Sequence, residues 1–193
     1  MSQDLILRLD GQDRLHWSII DRAGQVRRAS GAAGPGEPLD LPDTHGVSRT
    51  LILVPSEDVF LGLIDLPARG EREARQAAPY MIEEALDSSL ASTEIVPGAR
   101  AEDGRRWVMA ADRDRVAQWA TRIGDVIVRP AWVMPDCIAA AERDVALTLF
   151  DRGDSILWLY GADTRKPGEA AGGAMDPKLF GPVIGPLVEG AGE

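Results

Sequence analysis

Apolar and polar positions alternate with period two over the start of the chain. Leu5, Leu7 and Leu9 occupy alternate positions and Asp10-Gly11 follows as a turn signal. Leu15, Trp17 and Ile19 repeat the pattern, Asp21-Arg22-Ala23-Gly24 supplies a second turn, and residues 26–29 form a plausible third strand. Such alternation, punctuated by Asp and Gly, predicts a β-meander. Residues 30–47 are rich in Gly and Pro and predict an exposed loop.

Two further strands are expected at Thr50 to Val54 and Val59 to Leu66, separated by Pro55-Ser56-Glu57-Asp58. The clearest helix follows. Ala74, Ala77, Ala78, Met81, Ile82, Ala85 and Leu86 recur at helical spacing, which assigns them to one inward face. Pro79 falls inside this run, removes one backbone donor at a cost of roughly 3 kcal/mol, and predicts a bend. Arg106 to Ala110 reads as a strand. Asp112 then caps a second helix with Val116, Trp119, Ala120 and Ile123 inward and Gly124 as its stop. Residues 126–128 read as a strand ending at Pro130, and Pro135-Asp136 opens a short helix through Ala141. Residues 146–150 and 155–160 predict a hairpin, residues 161–177 a Gly/Ala/Pro-rich loop, and the tail one short helical turn.

The order βββ, loop, ββα, βα, βα, ββ predicts an α/β fold with a mixed sheet, compatible with the ribonuclease-H-like half of actin-type proteins. It divides into a meander and loop (1–49), a central strand–helix region (50–145), and a hairpin with tail (146–193).

The composition narrows the partners. The chain has 193 residues and a net charge of -10, with a pI near 4.7. No basic stripe is present to displace counterions from phosphates, so a nucleic-acid partner is not expected. An acidic surface is also repelled by anionic lipid headgroups. The single cysteine, Cys137, fits a reducing compartment. The N-terminus lacks a signal-peptide pattern, and no stretch reaches the ~20 apolar residues of a membrane helix. A cytoplasmic location is expected.

Candidate chemistry is sparse. Actin-type ATPases cradle phosphate with the turn of their first hairpin, where small residues let backbone N–H groups approach the oxygens. Here that turn is Asp10-Gly11-Gln12-Asp13-Arg14, in which Gln12 and Asp13 replace small residues and Asp13 repels phosphate. Asp151-Arg152-Gly153-Asp154 is a second place to look, again with an extra acid. Both read as hairpin turns, and neither a Walker loop nor a dinucleotide fingerprint occurs. His16 and His45 show no zinc spacing with Cys137. His16 alternates out of phase with its apolar neighbours and is expected to be an exposed strand residue; Cys137 reads as a small buried hydrophobe. No catalytic residue, metal ligand or cofactor is expected. Glu83, Glu84 and Asp87 form an acidic group at the end of the first helix, most simply a solvated face.

One stretch carries a resemblance. Val54-Pro55-Ser56-Glu57-Asp58-Val59, then Leu66-Pro67-Ala68-Arg69, then the helix Ala74-Arg75-Gln76-Ala77-Ala78-Pro79-Tyr80-Met81-Ile82-Glu83-Glu84-Ala85-Leu86 resemble the type II secretion system protein L family. Asp112 to Trp119 and Val133-Met134-Pro135-Asp136 are similar to family positions too. The resemblance covers about residues 50–140 well and the flanks in outline. It implies a degenerate actin-like fold without nucleotide hydrolysis, at the cytoplasmic face of the bacterial inner membrane. It implies binding to the N-terminal domain of the secretion ATPase (the E protein), with Glu83, Glu84 and Asp87 as candidate contacts to basic residues. A membrane helix and a periplasmic part pairing with the M protein are expected to follow, so the short chain reads as a fragment ending before the membrane. A homodimer is compatible with this reading. The alternatives are an active actin-like ATPase and the related adaptor of type IV pilus assembly.

Overall fold

The computed structural model describes residues 3–21, 31–41, 43–86, 88–101, 103–126, 131–140, 147–151 and 156–160. In chain order the strands and helices are β1 (Gln3–Leu9), β2 (Leu15–Asp21), β3 (Gly31–Ala33), β4 (Val47–Val54), β5 (Val59–Ile64), α1 (Glu71–Ile82), β6 (Thr93–Arg100), β7 (Arg106–Asp112), α2 (Arg113–Ile123), β8 (Ala131–Pro135), α3 (Asp136–Ala140), β9 (Leu147–Asp151) and β10 (Ile156–Tyr160). The chain divides into two compact units. Among the described residues, one holds those up to Pro55 together with those of Arg115–Met134, and the other holds those of Ser56–Asp114 and of Pro135–Gly181.

The first unit is built on a five-stranded sheet in the order β3-β2-β1-β4-β8. β1 pairs antiparallel with β2 through Leu5↔Ile19, Leu7↔Trp17 and Leu9↔Leu15. It pairs parallel with β4 on its other side. The sheet is therefore mixed, as the element order predicts. Leu5, Leu7, Leu9, Leu15 and Ile19 are all fully buried, so the alternation does mark a core face. Arg49 on β4 ties neighbouring strands: its guanidinium donates to Asp4 Oδ2 at 2.7 Å and lies 5.6 Å from the Trp132 ring centre. The third strand differs from expectation. Residues 26–29 lie outside the described residues, and the observed partner of β2 is Gly31–Ala33, inside the stretch read as a loop. Gly31 faces Trp17, and a Cβ there would come within 2.5 Å of the indole nitrogen. Glycine signalled a loop in the sequence; here it makes room for a ring.

α2 belongs largely to this unit. Asp112 caps it as expected, its Oδ1 accepting the Asp114 N–H at 2.9 Å. Trp119 and Ile123 are buried, and Gly124 ends the helix at φ +51°.

The second unit carries a three-stranded antiparallel sheet in the order β5-β7-β6, with α1 against one face. Ala74, Ala78 and Ile82 of α1 pack with Leu66, Ala68, Val108 and Ala110, and Phe60, Ile64 and Ile95 join from the strands. Small residues at four-residue spacing let the helix axis come close to the sheet. The start of α1 is fixed by cations: buried Arg106 donates to Glu71 Oε1 at 2.7 Å and to the Gly98 carbonyl at 2.9 Å, and Arg100 donates to the Ala68 carbonyl. Glu73 reaches back to accept the Arg69 N–H at 2.7 Å.

Two expectations change in this unit. The inward face of α1 is narrower than the spacing implied: Met81 is 49% exposed and Ala85 is exposed. The reason lies after Ile82, where the helix tightens into a 3-10 turn, Glu83–Ala85, and the angular phase of the α-helix is lost. Pro79 lies inside α1, three residues before its end at Ile82. β6 is a strand that the sequence reading left out; it carries Pro97 and a register shift between Pro97 and Arg100. Asp136 is 1% exposed and its Oδ1 accepts hydrogen bonds from the Ser56 hydroxyl at 2.5 Å and the Ser56 N–H at 3.2 Å. The Ser56 hydroxyl in turn accepts the Cys137 N–H at 3.0 Å. β9 and β10 pair antiparallel as the expected hairpin.

The narrow face of α1 gives a direct test. Ile82→Ala, which empties a fully buried site, is expected to cost about 2–4 kcal/mol, while Met81→Ala is expected to stay within about 0.5 kcal/mol as a surface change. Urea denaturation followed by circular dichroism measures both; equal losses would place Met81 in the core after all.

Candidate functional site

The β1–β2 turn comes first, as the sequence-based candidate for a phosphate cradle. Asp10 is 8% exposed. Its Oδ1 accepts the N–H groups of Gln12 at 3.0 Å and Arg14 at 2.9 Å. Its carbonyl accepts the Asp13 N–H at 3.1 Å, and its Oδ2 lies 2.8 Å from His16 Nε2. Of the turn's backbone donors, the N–H groups of Gln12 and Arg14 are thus directed at the protein's own carboxylate. Asp13 adopts φ 59°, and its Oδ1 receives Arg115 at 2.7 Å. Arg122 of α2 donates to the Asp13 carbonyl in the turn and to the carbonyls of Ala33, Gly34 and Glu37 at and after the end of β3. His16, expected to be simply exposed, is one-third exposed and anchored to Asp10. The second candidate phosphate turn, residues 151–154, falls almost wholly outside the described residues.

Burial alone would raise the Asp10 pKa. The His16 hydrogen bond, the Arg14 and Gln12 N–H groups and the His16 charge outweigh it, so the carboxyl is held below its usual range.

The second feature belongs to the other unit. A cleft of about 350 Å³ opens at one end of the three-stranded sheet. Its lining mixes apolar residues, among them Val59, Phe60, Leu86 and Ala110, with the acids Glu57, Asp58 and Asp112. Glu83 and Glu84, the candidate contact residues, are exposed on the 3-10 turn next to Ala85 and Leu86 of this lining. Asp87 lies outside the described residues. Tyr80 is 76% exposed on the preceding turn of α1. The sequence reading thus named part of an acidic surface. It missed Glu57, Asp58 and Asp112, which are distant in sequence and brought together only by the pairing of β5, β7 and β6. Among the described residues there is no group of three or more His, Cys, Asp or Glu side chains placed to hold a metal ion. No described helix is long and apolar enough to cross a membrane.

The Asp10 geometry sets a pH dependence. A carboxyl whose folded pKa lies below its unfolded value, near 3.9, adds stability above that value and loses it as pH falls through the folded pKa. The thermal midpoint should therefore drop below about pH 4, and Asp10→Asn should flatten that drop while lowering the midpoint at neutral pH. An unchanged acid limb in Asp10→Asn would show that the carboxylate does not hold the turn.

The chain's relatives agree on one family. The family model for the type II secretion system (T2SS), protein L, matches residues 5–171. The type II secretion system protein L of Dickeya chrysanthemi is 29% identical over 166 residues, covering 84% of this chain and 40% of the relative. That of Pectobacterium carotovorum subsp. carotovorum is 22% identical over 161 residues, covering 81% and 37%. The chain thus spans about two-fifths of the length of these curated relatives. Among solved structures, the cytoplasmic domain of EpsL, an inner-membrane component of the type II secretion system of Vibrio cholerae, superposes with a TM-score of 0.56 at 16% identity, covering 83% of this chain and 68% of that one. This likeness places the mixed α/β architecture with the actin-like fold of that domain. Matched over most of its length, the chain belongs to the type II secretion system protein L family.

Proposed function

We propose that this chain is a non-enzymatic adaptor at the cytoplasmic face of the inner membrane, which recruits the secretion ATPase through that protein's N-terminal domain and couples it to the pseudopilus machinery. The observation that carries the reading is the family match across residues 5–171. The chain aligns with part of its relatives and shares the fold of a cytoplasmic domain. In this reading the M protein is engaged by portions of the full-length protein outside the matched stretch.

The geometry supports an adaptor over an actin-like ATPase. Asp10 occupies the N–H groups of Gln12 and Arg14, so phosphate would have to displace a buried carboxylate and then meet Asp13. The same contacts weigh against a type IV pilus adaptor with a working phosphate loop. The acidic surface at Glu83 and Glu84, with Asp87 three residues further along the sequence, suits a basic partner, because charge complementarity steers encounter and penalises wrong partners.

Titration calorimetry of this domain with the N-terminal domain of the cognate secretion ATPase tests the proposal. Saturable binding that weakens as salt is raised is expected. Glu83→Lys with Glu84→Lys should weaken it by about three- to tenfold, the scale of exposed charge pairs. No saturable heat at any salt concentration would overturn the adaptor reading.

A further inference from the structure

The two edges of the α1-covered sheet are built differently. β6, at one edge, contains Pro97, which cannot donate to a new ladder, and shifts register between Pro97 and Arg100. Proline and irregular register are the devices by which proteins keep an edge strand from recruiting another chain. β5, at the other edge, has neither. Its six residues, Val-Phe-Leu-Gly-Leu-Ile, contain no proline and no charge. They pair with β7 in continuous register from Val59↔Ala111 to Ile64↔Arg106. Among the described residues β7 is the one strand paired with β5, so every second residue of β5 turns its backbone N–H and C=O away from the sheet. All six residues are half-buried. An apolar edge of this kind is the usual template for strand addition.

Charge decides what the edge can accept. Glu57 and Asp58 precede β5 and Asp65 follows it, and Glu57 and Asp65 are exposed. A second copy pairing antiparallel about the centre of β5 would set Asp58 opposite Asp65 at both ends of the ladder. A parallel copy in register would stack each acid on its own counterpart. Like charges directly opposite destabilise a strand pair, so both self-pairings are disfavoured. An apolar strand carrying Lys or Arg at its two ends meets opposite charge at each end instead. The cleft lined by Glu57, Asp58, Val59 and Phe60 lies at the start of this strand and extends its mixed acidic and apolar surface.

We propose that the edge of β5 left unpaired among the described residues is a docking site for an extended apolar segment flanked by basic residues, and that the N-terminal domain of the secretion ATPase supplies it. This rests on the adaptor reading and adds the mode of contact: main-chain hydrogen bonds along β5, with Asp65 and the Glu57–Asp58 pair fixing the register of the incoming strand.

Amide hydrogen exchange of the whole domain, with and without the ATPase N-terminal domain, tests it. The outward amides of residues 59–64 are expected to slow by about tenfold or more in the complex, while those of β6 change little. Asp65→Lys, an exposed position, should weaken binding by about three- to tenfold and reduce its salt dependence. Binding by the wild-type domain without protection of β5, and with unchanged affinity in Asp65→Lys, would overturn this inference and leave the adaptor reading standing. Absence of binding by the wild-type domain would overturn both.

Discussion

The carboxylate of Asp10 is the group on which the chemical character of the first unit depends. It closes the β1–β2 turn by accepting two backbone N–H groups and pairing with His16. A buried anion without partners would cost several kcal/mol or take up a proton; with them it stays charged and rigid. The same geometry engages three donors of the turn, the N–H groups of Gln12, Asp13 and Arg14, that a phosphate cradle would draw on. Arg115 and Arg122 of α2 then bind the turn at Asp13, so opening it would break contacts to the helix as well. The turn is a structural joint.

The second unit depends on a different constraint, the close approach of α1 to its sheet. Ala74 and Ala78 leave no bulk between helix and strands, and buried Arg106 fixes the helix start through Glu71. That packing leaves Tyr80 and Met81 outside, and it sets Glu83 and Glu84 beside the acid-lined cleft. Rigid placement of exposed groups is what a docking surface requires, since groups already ordered lose less freedom when a partner arrives.

Much of this was legible in the sequence, for local reasons. The period-two runs at Leu5–Leu9 and Leu15–Ile19 mark a core face because strand side chains alternate strictly. Asp112 and Gly124 bound α2 because caps act within a few residues. What escaped depends on distance in the chain or on a change of geometry. β3 was hidden because Gly31 is set by the Trp17 ring opposite it. β6 was hidden because Pro97 and Gly98 argue against a strand unless that strand lies at an edge. Met81 was misplaced because helical spacing was carried past the point where α1 tightens. The Asp10–His16 pair joins two ends of one hairpin, and its signal, an acid and a histidine six residues apart across a turn, has many innocent counterparts. Of the candidate site, Glu83 and Glu84 were visible as a local charge group, whereas Glu57, Asp58 and Asp112 join them only through strand pairing.

The central claim is that this member of the protein L family acts as a scaffold and that its first hairpin is closed to nucleotide. Equilibrium dialysis of the domain against ATP and magnesium measures this directly. The occupied turn predicts no saturable binding up to millimolar nucleotide. Saturable binding, abolished by a bulky replacement of Gly11, would contradict the account and return the chain to the nucleotide-binding members of the fold.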